Sequence, residues 1–204
     1  MATINSVEKL TDNRFVNLYN VKGENSKGHH SSYFVASRAT DIEHLKLVTH
    51  ENHPDGVAIY ALYGEKHDRV VLIRQYRYPI NDMLYEFPAG LCEPGEDYRS
   101  AAVRELHEET GLVFHPIEAD AMFETPRYTT VGMTDESCAT VYGYASGEIS
   151  DRYLEKSEEI EVVLADRAEA RRILKEERVA LLCAYQLMHF IANEEDPFHF
   201  LHAQ

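Results

Sequence analysis

One spacing pattern constrains this 204-residue chain more than anything else in it. Between Gly90 and Leu112 stand Gly90, Glu96, the run Arg104-Glu105-Leu106, the pair Glu108-Glu109 and the pair Gly111-Leu112, nine defined positions within 23 residues. A loop containing Pro94 and Gly95 leads into Tyr98 to Thr110, which has neither Gly nor Pro and stops at Gly111. That predicts one helix of about three turns with glycine as its C-terminal cap. Ala102 and Leu106 are four apart and share its apolar face, while Glu105, Glu108 and Glu109 fall together on another. Three converging carboxylates repel and raise one another's pKa, so such a cluster is costly unless cations occupy it. Oxygen-only ligands select hard ions, and Mg²⁺ usually combines a few carboxylates with waters and phosphate oxygens. The everyday meaning of an acidic helix is a solvated face with weak ion pairs.

Around this core the chain reads as mostly extended structure followed by helices. Phe15–Val21 and Ser32–Ala36 are short strand-like runs separated by a polar turn, as expected of a small antiparallel sheet. Gly56–Leu62 and Arg69–Tyr76 are stronger strands whose short connection predicts a hairpin. Further strands are expected at Ala121–Thr125, Ser137–Ala145 and Ile160–Leu164, with a long loop from Pro126 to Glu136. Asp166 can cap a helix running to about Lys175, and Arg178–Asn193 is an apolar-rich helix whose stripe Leu181, Leu182, Tyr185, Met188 and His189 is expected in the core.

Composition narrows the function classes. A net charge of −15 opposes binding to nucleic acid or an acidic membrane through long-range attraction. An anionic substrate would need cations to mediate. No run of about 18 apolar residues exists and the start lacks a signal-peptide layout, so a cytoplasmic protein is expected. Cys92, Cys138 and Cys183 fit neither a disulfide framework nor a zinc knuckle. His29-His30 reads as a solvated turn.

The Gly90–Leu112 array resembles the Nudix box at every defined position. Most of the chain is similar to the ADP-ribose and ADP-sugar pyrophosphatase branch of that family: Arg74-Gln75-Tyr76-Arg77 and Tyr85-Glu86-Phe87-Pro88-Ala89-Gly90 before the box, Pro126 fifteen residues after Gly111, and Gly132-Met133-Thr134-Asp135-Glu136 in the branch's substrate loop. Thr130-Val131 replaces the Ser-Pro often found before that loop's glycine. The resemblance implies an α/β/α sandwich with a mixed sheet, residues 53–204, preceded by an antiparallel β subdomain, residues 1–52, exchanged between the subunits of a homodimer. It implies Mg²⁺, with Mn²⁺ as the alternative, held by Glu105, Glu108, Glu109 and the carbonyl of Ala89. In the same way Arg104 orients the carboxylates, Glu96 supports the loop, and Gly90 and Gly111 serve backbone geometry.

The implied reaction is hydrolysis of a nucleoside diphosphate sugar, ADP-ribose giving AMP and ribose 5-phosphate, by metal-activated water attack on phosphorus. A general base is expected from the loop before the last strand, where Glu155, Glu158 and Glu159 qualify, Glu159 ahead of Glu158; a box glutamate acting directly is the alternative. Phe15 and Tyr33 match positions that sandwich the base, and Arg38 and Arg77 match residues that contact the nucleotide and its phosphates. Competing readings are plain sheet packing for the two aromatics, a surface ion pair for Arg38, a UDP-sugar or other nucleoside diphosphate substrate, and a Nudix-fold ligand sensor without turnover.

Overall fold

The computed structural model describes residues 1–156 and 158–202, which form two compact units: 1–55 with 126–138, and 56–125 with 139–202.

In the first unit, β1 (Thr3–Lys9), β2 (Asn17–Glu24) and β3 (His30–Ser37) make an antiparallel sheet in that order. The turn between β2 and β3 is tied by the Asn25 side chain, which accepts the Lys27 and His29 N–H groups. Gly28 there adopts φ +81°, a conformation that favours glycine. Strand alternation puts Tyr19 and Val21 on the buried face, with the Tyr19 hydroxyl donating to the Ala39 carbonyl at 2.7 Å, while Leu18, Tyr33 and Phe34 are exposed. β1 was not foreseen; its alternation is weak because nearly all of it is exposed. A short helix α1 (Lys46–Thr49) follows.

The second unit is a three-layer sandwich. β4 (Gly56–Tyr63), β5 (Arg69–Arg77), β6 (Asp82–Glu86) and β7 (Ala89–Leu91) precede the long helix α2 (Tyr98–Thr110). After it come β8 (Val113–Pro116), α3 (Ala121–Glu124), β9 (Arg127–Tyr128, in the first unit), β10 (Ser137–Ser146), β11 (Ile160–Ala165), α4 (Arg167–Glu176), α5 (Leu181–Ala192) and α6 (His199–His202). The mixed sheet runs β11-β5-β4-β10-β8, with β6 on β5 and β7 on β4. β4 and β5 pair at their joined ends, Leu62 opposite Val70; farther out β4 takes β7 and β5 takes β6, so the hairpin opens to admit two short strands.

Alternation along β4 and β5 builds a core on each face. Val57, Ile59, Ala61 and Val71 meet Ala101, Ala102 and Leu106 of α2. Tyr60, Leu62, Val70 and Leu72 meet Ala170 and Ile173 of α4 and Cys183, Leu187 and Phe190 of α5. Central strands buried on both faces explain the near-continuous apolar runs in β4 and β5. The sandwich with an antiparallel N-terminal sheet is the architecture that the sequence implies.

Three expectations fail. Ala121–Glu124 is a helical turn, not a strand, because the Asp120 side chain accepts the Met122 N–H at 2.9 Å and captures the segment locally. The last long helix begins at Leu181 rather than Arg178: the Arg178 carbonyl accepts the Tyr85 N–H and the Ala180 N–H donates to the Tyr85 carbonyl, which holds the segment extended along β6. Finally, the stripe Leu181, Leu182, Tyr185, Met188 and His189 faces outward, and Cys183, Gln186, Leu187 and Phe190 form the core face. α5 is apolar nearly all round, so 3.6-residue periodicity admits both solutions and cannot choose between them.

No helix among the described residues is long and apolar enough to cross a membrane.

Candidate functional site

α2 occupies the predicted residues, and both its ends are explained locally. The Asp97 side chain accepts the Arg99 and Ser100 N–H groups. At the other end Gly111, with φ +76°, donates its N–H to the His107 carbonyl at 2.8 Å. Glu105, Glu108 and Glu109 project from the last two turns beside β7.

Arg104 organises this end of the helix. Its Nε and Nη2 grip Glu96 in a two-pronged pair at 3.1 and 2.9 Å, and Nη2 also donates to the Leu91 carbonyl at 3.0 Å. Its Nη1 donates to Glu105 Oε1 at 2.8 Å and Glu108 Oε2 at 3.0 Å. One guanidinium thus ties the loop to the helix and fixes two of its carboxylates, work that suits a planar fork of donors. Arg104 holds the Glu96 carboxyl below its usual range, and Glu96 Oε2 also accepts the Glu93 N–H at 2.9 Å.

Glu109 is 4% exposed, and its Oε2 accepts the Ala89 N–H at 3.1 Å. Burial, followed by the charges of Glu105 and Glu158, pushes its carboxyl well above the usual carboxylate range; the Ala89 N–H and Arg77 oppose the shift without cancelling it. Glu105 is also raised, first by burial and then by Glu108 and Glu158, although Arg104 pulls the other way. Gly90 is explained here: a Cβ on it would overlap the Glu105 carboxylate.

Glu158 joins the cluster and Glu159 does not. Burial raises the Glu158 carboxyl, with Glu155 and Glu108 adding to the shift and Arg77 opposing it. Glu159 is exposed, and its carbonyl accepts the Tyr76 N–H at 3.1 Å at the start of β11. Of the two candidate bases, Glu158 is the half-buried one and Glu159 the exposed one. Arg77, whose charge acts on both Glu109 and Glu158, donates through Nε to Glu86 Oε2 at 2.6 Å. Sequence reasoning missed Glu86 as the partner of Arg77; only the pairing of β5 with β6 brings the two together.

The remaining expected site residues lie in the first unit. Phe15 is exposed, with the Arg14 guanidinium 4.8 Å from its ring centre. The Tyr33 hydroxyl donates to the Gly132 carbonyl at 2.5 Å. Arg38 forms an ion pair with Glu136 at 3.1 Å, and Ser37 donates to Asp135 at 2.9 Å. The segment 126–138 is thus bound to β3, an association that nothing in its sequence announced.

The donor set suits a hard cation. Among the described residues, the hydrogen bonds to Glu105, Glu108 and Glu109 fall on Oε1 of Glu105 and Oε2 of Glu108 and Glu109. A buried carboxylate with a raised pKa and carboxylate neighbours is stabilised in its charged form by a positive ion. Among the described residues, no three His, Cys, Asp or Glu side chains already stand as a closed metal cage. Mg²⁺ sites are typically completed by water and substrate phosphate rather than by protein alone.

Residues 52–185 match the sequence model of the NUDIX domain. The chain is 33% identical over 131 residues to the methanol dehydrogenase activator of Bacillus methanolicus, covering 62% of this chain and 66% of that protein. It is 30% identical over 131 residues to the ADP-ribose pyrophosphatase of Bacillus subtilis, with the same coverage. A shorter match, 40% over 72 residues, joins it to the ADP-sugar pyrophosphatase of Mus musculus and covers 34% of this chain and 33% of that one. The matches to the first three curated relatives span 54 to 66% of their lengths. The crystal structure of an ADP compounds hydrolase superposes with a TM-score of 0.61 at 21% identity, covering 86% of this chain and 83% of the other, a likeness of fold.

Proposed function

Since the chain belongs to the Nudix family, we propose that it is a hydrolase that splits the pyrophosphate bond of a nucleoside diphosphate sugar, with ADP-ribose, giving AMP and ribose 5-phosphate, as the leading substrate. The observation that carries this reading is Glu109: a carboxyl 4% exposed, raised by burial and by Glu105 and Glu158, on the helix whose box it completes. Two relatives named ADP-ribose pyrophosphatase or ADP-sugar pyrophosphatase support the substrate class.

Glu105, Glu108, Glu109 and the Ala89 carbonyl would hold Mg²⁺, or Mn²⁺ in its place. Bound there, the divalent ion would neutralise phosphate charge and make the attacking water more acidic. Arg104 keeps Glu105 and Glu108 in position. Glu158 accepts the proton of the water, a role that its raised pKa suits because a base works best near the operating pH. Arg77, which spends only Nε on Glu86, offers its remaining N–H groups to a phosphate.

In the same reading, residues 1–52 are a dimerisation element exchanged between two subunits, Phe15 and Tyr33 stack on the base, and Arg38 contacts the nucleotide. The exposure of Phe15, Tyr33 and Phe34 supports that use of the sheet.

A substrate panel tests the proposal: ADP-ribose, other ADP-sugars and UDP-sugars, each with Mg²⁺ and with chelator, scored by nucleoside monophosphate released. Metal-dependent AMP release from ADP-ribose is expected to lead the panel. Preference for a UDP-sugar would overturn the substrate, and tight ADP-ribose binding without turnover would overturn the enzyme.

A further inference from the structure

The outward face of α5 is the feature that the site leaves unexplained. None of the twelve residues of this helix is Asp, Glu, Lys or Arg, in a chain whose net charge is −15. Its inner face, Cys183, Leu187 and Phe190, fills the core, yet Leu181 (70% exposed), Tyr185 (59%) and Met188 (53%) stand in line on the opposite face at i, i+4 and i+7, with Leu182 (44%) beside them. Single exposed apolar side chains are ordinary. A contiguous patch of several hundred Å² on a helix is the size that marks an interaction site.

We infer that this face is a homotypic interface, α5 packing against α5 of a second copy, antiparallel about a two-fold axis near Tyr185. Charge argues for the occupant. Two copies carrying −15 each repel through most of their surfaces, and a charge-free helix is a place where they can meet without setting like charges together. Charge also argues for the direction. Arg178, 64% exposed and paired at 3.1 Å with Asp82, lies just before the helix, and Glu194, Glu195 and Asp196 lie just after it. Glu176 and Glu177 at the first end are already neutralised in part by Arg172, and Glu194 lies 3.6 Å from Arg171. An antiparallel crossing brings Arg178 of each copy towards the acidic end of the other, and it opposes the helix dipoles favourably. A parallel pair would set acid against acid. A two-fold axis buries the patch twice, on the order of 1,000 Å² in total, the lower end of what a specific interface needs. The isologous geometry requires only that the patch complement itself, which an uncharged Leu-Tyr-Met stripe does.

This pairing is separate from the one proposed for the N-terminal sheet, and it would add to it. The test is the native mass of the full-length protein by light scattering after gel filtration. The double variant Leu181→Glu with Tyr185→Glu is expected to halve the mass, while ADP-ribose turnover per chain and the circular dichroism spectrum stay as in the wild type, because both side chains lie on the surface of the single chain. Phe34→Glu in the sheet serves as the comparison that removes the other interface. Arg178→Glu should weaken association a few-fold, as suits an exposed ion pair, and adding Glu194→Lys with Glu195→Lys should restore it. A wild-type protein that is monomeric at tens of micromolar, or an unchanged mass in the Leu181/Tyr185 variant, would overturn the inference. Turnover is read separately from mass, so failure here leaves the proposed activity untouched.

Discussion

Glu109 joins two requirements that conflict: it is buried, and it has Glu105 and Glu158 as electrostatic neighbours. Its carboxyl is raised in the folded state, so the folded protein binds the proton more tightly than the unfolded one. The stability that this contributes is fully present below about 4.5, the ordinary glutamate value, and is lost as pH rises through the folded value. In chelator, melting temperature should therefore fall from pH 4.5 towards neutrality more steeply in the wild type than in Glu109→Gln; equal slopes would refute the assignment. The same variant, and Glu105→Gln, should lose turnover by orders of magnitude with circular dichroism unchanged. Glu158→Gln should cost about 10²–10⁴-fold in kcat, the usual worth of a general base. Glu159→Gln, altering an exposed side chain, should leave kcat near wild type. If the two glutamines behave the other way round, the loop acts differently from its placement here.

At the scale of elements, α2 serves as a mount for the carboxylates, held by its caps, by Arg104 and by the close approach of β7. Replacing Asp97 with Ala should cost about 1 kcal/mol through the two N–H groups it leaves without an acceptor, measured by denaturant unfolding. Gly90→Ala should act differently. The added methyl meets the Glu105 carboxylate rather than the core, so metal-dependent turnover should collapse while the fold persists. Arg104→Lys keeps the charge but not the fork that serves Glu96, Glu105, Glu108 and the Leu91 carbonyl. Metal affinity should weaken by about 10- to 100-fold, read by titrating Mg²⁺ against turnover.

For the molecule as a whole, the proposed metal site would couple stability to the divalent ion. Any ligand that binds only the folded state stabilises it by mass action, about 2.7 kcal/mol at a hundredfold excess over Kd. Added Mg²⁺ should raise the melting temperature of the wild type, and the increment should vanish in Glu109→Gln. An equal increment in both would place the binding site elsewhere. The two compact units also divide the proposed labour: the carboxylates belong to one, while Phe15, Tyr33, Arg38 and the segment 126–138 belong to the other.

Spacing alone determined the helix from Tyr98 to Thr110, its glycine cap and the shared side of Glu105, Glu108 and Glu109, because these follow from 3.6-residue geometry and local capping. The apolar runs of β4 and β5 announced two strong strands for a similarly local reason; their central place in the sheet came from the structure. Only the folded chain decided which face of α5 is buried, since an uncharged helix offers two apolar stripes and the choice rests on the strands it meets. Only folding could distinguish Glu158 from Glu159, neighbours with the same chemistry whose difference is burial. It also paired Arg77 with Glu86 through the register of β5 on β6 and tied the segment 126–138 to β3, contacts set by strand assembly, which no local pattern encodes.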